Sequence, residues 1–425
     1  MDYSKVFIDL GYAFESRMGH DLFNPVHLRF TVTLDHDADD ELIKKAWDRT
    51  KRVYPIIESV IGLDHGDPSL YLGQEARKKY MFDHIYLVRP DSGVNDPVKT
   101  KIPVIPGTDI VGKRLISISY YGKKVSISAY HTIVDGGGLN KIFGTFLYSY
   151  LALYTGNEDK EPNVDLEENR ELEEYYTPVS PPYVYSMEYT PVPLYTLPLG
   201  CRGFNDKDMV NDEENVFSGD INISAPDFMK FCKENGANPS SMMCTLLAKA
   251  AYELNPSEKN DMVFGLTLSV RKILGLDKTI ANAVGAAIAY TTRDDIENKS
   301  IAEVSQKIRK DLDVQRSRDY YISHCRTFQT YKHVPNFVPR TVTYIGRVDI
   351  GSNNSHIVDF SMETNGDSNL YLMQLNDKFI LTLQYGMATE KYLNEFNKIF
   401  TELGINSEIA HPAHHVDKDS DKAIL

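Results

Sequence analysis

The chain has 425 residues, 42% hydrophobic and 25% charged, with 27 Tyr and 18 Phe. That exceeds the usual roughly 100–200 residues of one domain and supplies a sizeable core, so two lobes are expected. The formal net charge of -14 opposes a nucleic-acid or anionic-membrane surface, although a local basic patch can coexist with it.

The N-terminal MDYSKVFIDLGYAF lacks a basic segment followed by an apolar one. No run of about 18 apolar residues follows anywhere, so a soluble cytoplasmic protein without membrane insertion is expected. Cys201, Cys232, Cys244 and Cys325 show no C-x-x-C spacing, and neither a disulfide nor a zinc site is expected of them.

In chain order, HLRFTVTL reads as a strand, with Leu28, Phe30, Val32 and Leu34 alternating. DADDELIKKAWDRTKRVYP reads as an acid-started helix stopped by Pro55, with Leu42, Ala46 and Val53 inward. Residues 56–110 read as short strands and loops. RLISISYYGKKVSISAYH is a hairpin turning at Tyr121-Gly122, with Val125, Ile127 and Ala129 on one face. His131 shares their parity, so a continuing strand would project its imidazole inward at the strand's end. After Gly136-Gly137-Gly138, Leu139, Ile142, Phe143, Phe146, Leu147, Tyr150 and Leu151 recur at helical spacing.

Residues 155–215 carry an acidic run and then a Pro/Tyr-rich run, which read as a connection that packs on its tyrosines. Beyond it lie a Pro-initiated helix, SAPDFMKFCKENG, and a second helix capped by Asn238. The strand DMVFGLTLSVRK is followed by a helix whose capping box is Ser300 with Glu303. The strand RTVTYIGRVDI, a hairpin turning at Asn376-Asp377, a final amphipathic helix and a polar tail complete the chain. Four segments are expected: residues 1–160, a first lobe; 161–215, a crossover; 216–410, a second lobe; and 411–425, the tail. Each half runs from helix to strands to a hairpin and a long helix, and α/β layers fit that order.

The chemistry concentrates in His131-x-x-x-Asp135-Gly136. Imidazole, with an ordinary pKa near ~6.5, suits a general base that takes a proton from a hydroxyl, amine or thiol. Asp135 could orient the ring as in a triad or anchor the loop through an arginine, and the glycine-led bend favours the anchor. A histidine on an apolar strand face is more often a satisfied core residue than a catalyst. No further ligand stands at metal spacing near His131, so no metal is expected, and no G-x-S-x-G elbow supplies a serine nucleophile.

This strand–motif–helix arrangement resembles the chloramphenicol acetyltransferase-like superfamily. Looser matches accompany it in DDELIKKAWDRTKRVYPIIES, GANPSSMMCTLLAKAAY, FGLTLSVRKIL…TIANAVGAAIAY and TVTYIGRV. The resemblance implies an α/β fold of two lobes, each a mostly antiparallel or mixed sheet covered by helices, with a tunnel between them. It implies an acyltransferase moving an acyl, by expectation acetyl, group from acyl-CoA to an alcohol or amine, without an acyl-enzyme. His131 would be the general base, Asp135 structural, Gly136 the turn residue, and Arg271 and Asn282 scaffold partners; Thr343 or Tyr344 would donate to the oxyanion.

Acyl-CoA would be a co-substrate, with no permanent cofactor. An acyl carrier protein as donor, or a silent thioester- or partner-binding relative, is the alternative. Condensation domains usually double the histidine, where this chain has Tyr130. The D-F-G-W-G of the plant enzymes is absent, which leaves alcohol acetyltransferase-type and polyketide-associated acyltransferases nearest.

Overall fold

The computed structural model describes residues 6–9, 26–63, 85–88, 95–101, 114–131, 133–159, 162–179, 181–199, 201–204, 206, 209, 216–330, 340–364 and 369–416. Much of the 56–110 stretch and the end of the expected tail lie outside them. No helix among them is long and apolar enough to cross a membrane.

The first large sheet has the order β12-β2-β7-β6-β5, built from β2 (His27–Leu34), β5 (Val98–Lys99), β6 (Ile116–Tyr121), β7 (Lys124–Tyr130) and β12 (Ile357–Thr364). All its pairs are antiparallel except β5 with β6. Strict alternation puts Leu28, Phe30 and Val32 beside Ala129, Ile127 and Val125 on one face. That face packs on the helices Asp40–Val53 and Gly136–Thr155 through Trp47, Phe143 and Phe146. The first helix is fixed at its start by Asp39, whose carboxylate accepts from the Glu41 and Leu42 amides. Its core face is carried by Ile43 and Trp47 as well as Ala46 and Val53, while Leu42 is only partly buried. The β6–β7 turn falls at Gly122-Lys123, one residue later than the pattern indicates, because Tyr121 still pairs with Lys124 and Gly122 takes φ +55°.

The second large sheet runs β10-β9-β11-β13-β14-β8-β15, from β8 (Phe217–Ser224), β9 (Met262–Ser269), β10 (Val284–Thr291), β11 (Arg340–Val348), β13 (Asn369–Leu375), β14 (Lys378–Gln384) and β15 (Ser407–His415). β11 lies parallel to both its neighbours, and the other pairs are antiparallel. Helices Ala225–Glu234, Pro239–Leu254, Ile301–Asp313 and Thr389–Glu402 contribute to a second core centred on Phe228, Leu246, Phe379 and Phe396. A small sheet, β1 (Val6–Asp9), β4 (Ile85–Val88) and β3 (Val60–Leu63), stands apart from both. Two open mixed sheets covered by helices make the molecule α/β.

Two findings revise the expected boundaries. β12, which sequence order assigns to the second lobe, crosses back and completes the first sheet against β2. The residues read as the start of a polar tail are instead part of β15, an edge strand on β8, with register breaks at Ile409/His411 and His411/His414 that accommodate Pro412. The first core also draws Ile280, Ala281, Val348, Tyr371 and Met373 from the second half, so the lobes share packed apolar material. The connection packs too: Tyr175 and Tyr176 are buried.

Candidate active site

β7 ends at Tyr130, and His131 follows in a turn, its amide donating to the Val26 carbonyl at 2.8 Å. The strand therefore stops one residue short of the histidine, but the loop still holds it in place. Val134 bridges Ala281 across the lobe junction, and Asp135 caps the helix Gly136–Thr155 by accepting from the Gly138 amide at 2.7 Å.

The His131 ring is half-buried, and Nδ1 lies 3.1 Å from the Val134 carbonyl. A carbonyl only accepts, so this contact assigns the hydrogen to Nδ1 and leaves Nε2 with a lone pair. Burial is the main influence on the ring and lowers its pKa below the ordinary imidazole value. Hydrogen bonds to backbone and the charge of Asp135 oppose that shift only in part. His131 is thus neutral at pH 7, with one nitrogen able to take a proton.

Asp135 does not touch the ring. It is buried, and Arg271 reaches it from the second lobe in a bidentate pair, Nη2 to Oδ1 at 2.7 Å and Nη1 to Oδ2 at 3.0 Å. The Gly138 and Ala283 amides also donate to it, the latter at 2.9 Å. The guanidinium is held in turn by the carbonyls of Thr279 and Ala281, at 2.8 and 2.7 Å. Every strong partner of this pair is thus satisfied, the condition under which a buried ion pair is tolerated. Asn282 donates to the His131 carbonyl at 3.0 Å, and the Tyr176 hydroxyl donates to the Ile133 carbonyl at 3.0 Å. Arg271 itself opens a short helix, Arg271–Leu274, beyond the end of β9.

Among the glycines, Gly136 adopts ordinary helical backbone with room for a methyl group, so it is not the residue that the turn depends on. Gly138 is the demanding position: a Cβ there would sit 2.0 Å from the Ile280 carbonyl oxygen. Helix and second lobe approach each other at that point, which only glycine permits.

β11 reaches the motif through Ile345, which packs on Gly136. Thr343 precedes the bulge at Tyr344/Gly346 and pairs with Tyr371, whose side chain belongs to the first core. Tyr344 has opposite parity, shares the face of Val342 and, itself exposed, meets Phe379 of the second core edge-on, 6.3 Å between centroids. Of the two oxyanion candidates, only Thr343 lies on the motif side. The Val134 carbonyl and Tyr176 were not anticipated: a backbone acceptor leaves no mark in the sequence, and Tyr176 is one of several tyrosines in the connection.

No family model and no curated protein matches the chain. Solved structures do. Polyketide synthase associated protein 5 from Mycobacterium tuberculosis superposes with a TM-score of 0.59 at 13% identity, covering 93% of this chain and 96% of that one. F. graminearum TRI101, complexed with coenzyme A and T-2 mycotoxin, gives 0.58 at 10% identity, covering 95% and 99%. The first condensation domain of the calcium-dependent antibiotic synthetase, in complex with a substrate analogue, gives 0.59 at 9% identity, covering 89% and 90%. At such identities the likeness is one of fold. Over nearly its whole length, this chain shares the two-lobed fold of these structures.

Proposed function

We propose that this protein is an acyltransferase that moves an acyl group from a CoA thioester to an alcohol or amine, with His131 as general base. The observation that carries this reading is the neutral His131 with its Nε2 lone pair, at the junction of the lobes. Nε2 would take the acceptor's proton as its oxygen or nitrogen attacks the thioester carbonyl carbon. The tetrahedral intermediate would then expel the thiolate by breaking the C–S bond, and the thiolate would recover the proton from the imidazolium. Thr343 is the candidate donor to the oxyanion. Asp135 and Arg271 would hold the loop and Asn282 the His131 backbone, none of them touching substrate. Both substrates would meet at His131 through a passage between the lobes. The likeness to a structure holding both coenzyme A and T-2 mycotoxin supports the choice of donor.

The test is acceptor-dependent thiol release from acetyl- and longer acyl-CoAs with pooled alcohols and amines, for wild type and His131→Ala in parallel. Release that needs an acceptor and is lost in the variant is the expected result; release that persists in a folded variant would overturn the assignment. A direct transfer also leaves no covalent acyl adduct when protein and acyl-CoA are mixed alone and weighed by mass spectrometry. The likeness to a condensation domain favours a second reading with a carrier protein as donor. That reading expects turnover of a carrier-bound thioester and none of the free CoA ester.

A further inference from the structure

Away from His131, the end of β2 and the start of β12 bring together three residues that no local spacing connects. Asp35 and His36 follow β2 directly, and His356 closes the 3-10 turn Gly351–His356 immediately before β12. The Asp35 amide donates to the His356 carbonyl at 3.0 Å, which fixes the two segments against each other. Both imidazoles turn Nδ1 to the one carboxylate, His36 at 2.5 Å from Oδ1 and His356 at 2.9 Å from Oδ2. The three candidate ligand atoms all lie within 4.8 Å of one another.

We propose that Asp35, His36 and His356 form a zinc-type metal site that fastens the crossing strand β12 to the first sheet. The donor set is two imidazole nitrogens and one carboxylate oxygen, which suits zinc and its late-transition neighbours. Calcium and magnesium favour oxygen ligands. The side chains of Asp35 and His356 are 43% and 30% exposed, so water can complete the coordination. His36 is also positioned from behind. Its ring stacks on Tyr154 at 3.6 Å between centroids and 3° between planes, and its Nε2 lies 3.2 Å from the Tyr150 hydroxyl. A metal-bound histidine usually donates its other ring hydrogen to a fixed acceptor, and the Tyr150 oxygen can be that acceptor. Zinc sits roughly 2.0–2.2 Å from each ligand atom, so binding would open the hydrogen-bonded contacts of 2.5 and 2.9 Å and replace the Nδ1 hydrogens. Asp37, Asp39 and Asp40 add negative charge to the same short stretch, which attracts a dication. The site is independent of acyl transfer.

The experiment uses the untagged full chain, stripped with chelator and dialysed against Zn²⁺ alone, with bound metal counted by mass spectrometry and melting followed with and without zinc. His411, His414 and His415 could also take up zinc, so the decisive quantity is a difference between proteins. Wild type is expected to hold one zinc equivalent more than His356→Ala and to melt higher with zinc, while Mg²⁺ does neither. Asp35→Asn, which preserves size, is expected to lose the same equivalent should the alanine variant fold poorly. Tyr150→Phe is expected to weaken zinc binding about 10- to 100-fold. Equal zinc content in wild type and either folded ligand variant overturns the proposal.

Discussion

His131 and His411 both stand where the two lobes meet, and their surroundings drive them in opposite directions. His131 faces a neutral carbonyl, and the carboxylate nearest to it in sequence, Asp135, is fully engaged with Arg271 and two backbone amides. Burial then dominates and the ring stays uncharged. His411 has a carboxylate on each nitrogen, Asp220 at 2.8 Å from Nδ1 and Asp359 at 3.1 Å from Nε2. Those bonds push its pKa up to about 10. The first histidine can accept a proton at neutral pH; the second already carries one and ties β8 to β12. The difference lies in whether the neighbouring carboxylates are already occupied, which no His-x-x-x-Asp spacing reveals.

Removing the uncharged member should have the largest effect. His131→Ala is expected to lower turnover by about 10²–10⁴ with melting unchanged, read by thiol release. In wild type, the acid limb of the rate should fall below the ordinary imidazole range, since burial lowers this pKa. A limb at or above that range would show that the ring is charged by a neighbour after all.

The next largest effect comes from freeing the occupied carboxylate. Arg271→Met strands a buried charge and should cost about 3–5 kcal/mol in denaturant unfolding. Unchanged stability would mean that Asp135 is not held as described. A smaller loss is expected from Gly138→Ala. Its methyl group must displace the Ile280 backbone, at about 1–3 kcal/mol, while Gly136→Ala in the same helix should be nearly neutral.

The mildest effect concerns the charged histidine. Because folding raises the His411 pKa, its contribution is complete below the unfolded value near ~6.5 and fades as pH rises through about 10. The melting midpoint of wild type should therefore drop as pH rises from neutral toward 10, and drop less in His411→Gln. His414, held by Glu363, acts with the same sign. The His411 side chain is 38% exposed, so salt should reduce the difference.

The parts of this arrangement legible in the sequence are those written in local periods. The alternation of β2 and β7 and the helical recurrence after Gly138 place His131 at a strand-to-helix bend without any structure. The partnership of Asp135 with a specific arginine comes only through resemblance, since 136 residues separate them. β10 is hard to see because GAAIA has little of the branched or aromatic content that marks strands. β15 passed for a tail because its histidines and Pro412 suit an edge, where one side of the strand stays unpaired. The crossing of β12 is invisible for a different reason: which strand it joins depends on the register of distant partners, and IVDFSMET carries no trace of that choice.

That crossing also orders events in time. His356 and its partner Asp35 lie 321 residues apart, so during synthesis the first sheet is left with β2 as an open edge until most of the chain has emerged. Contacts of such long range are slow to form, and an uncovered strand edge invites pairing with another chain. The first half should therefore be a poor fragment to express alone, and a nascent chain arrested before β12 should be a preferred chaperone client.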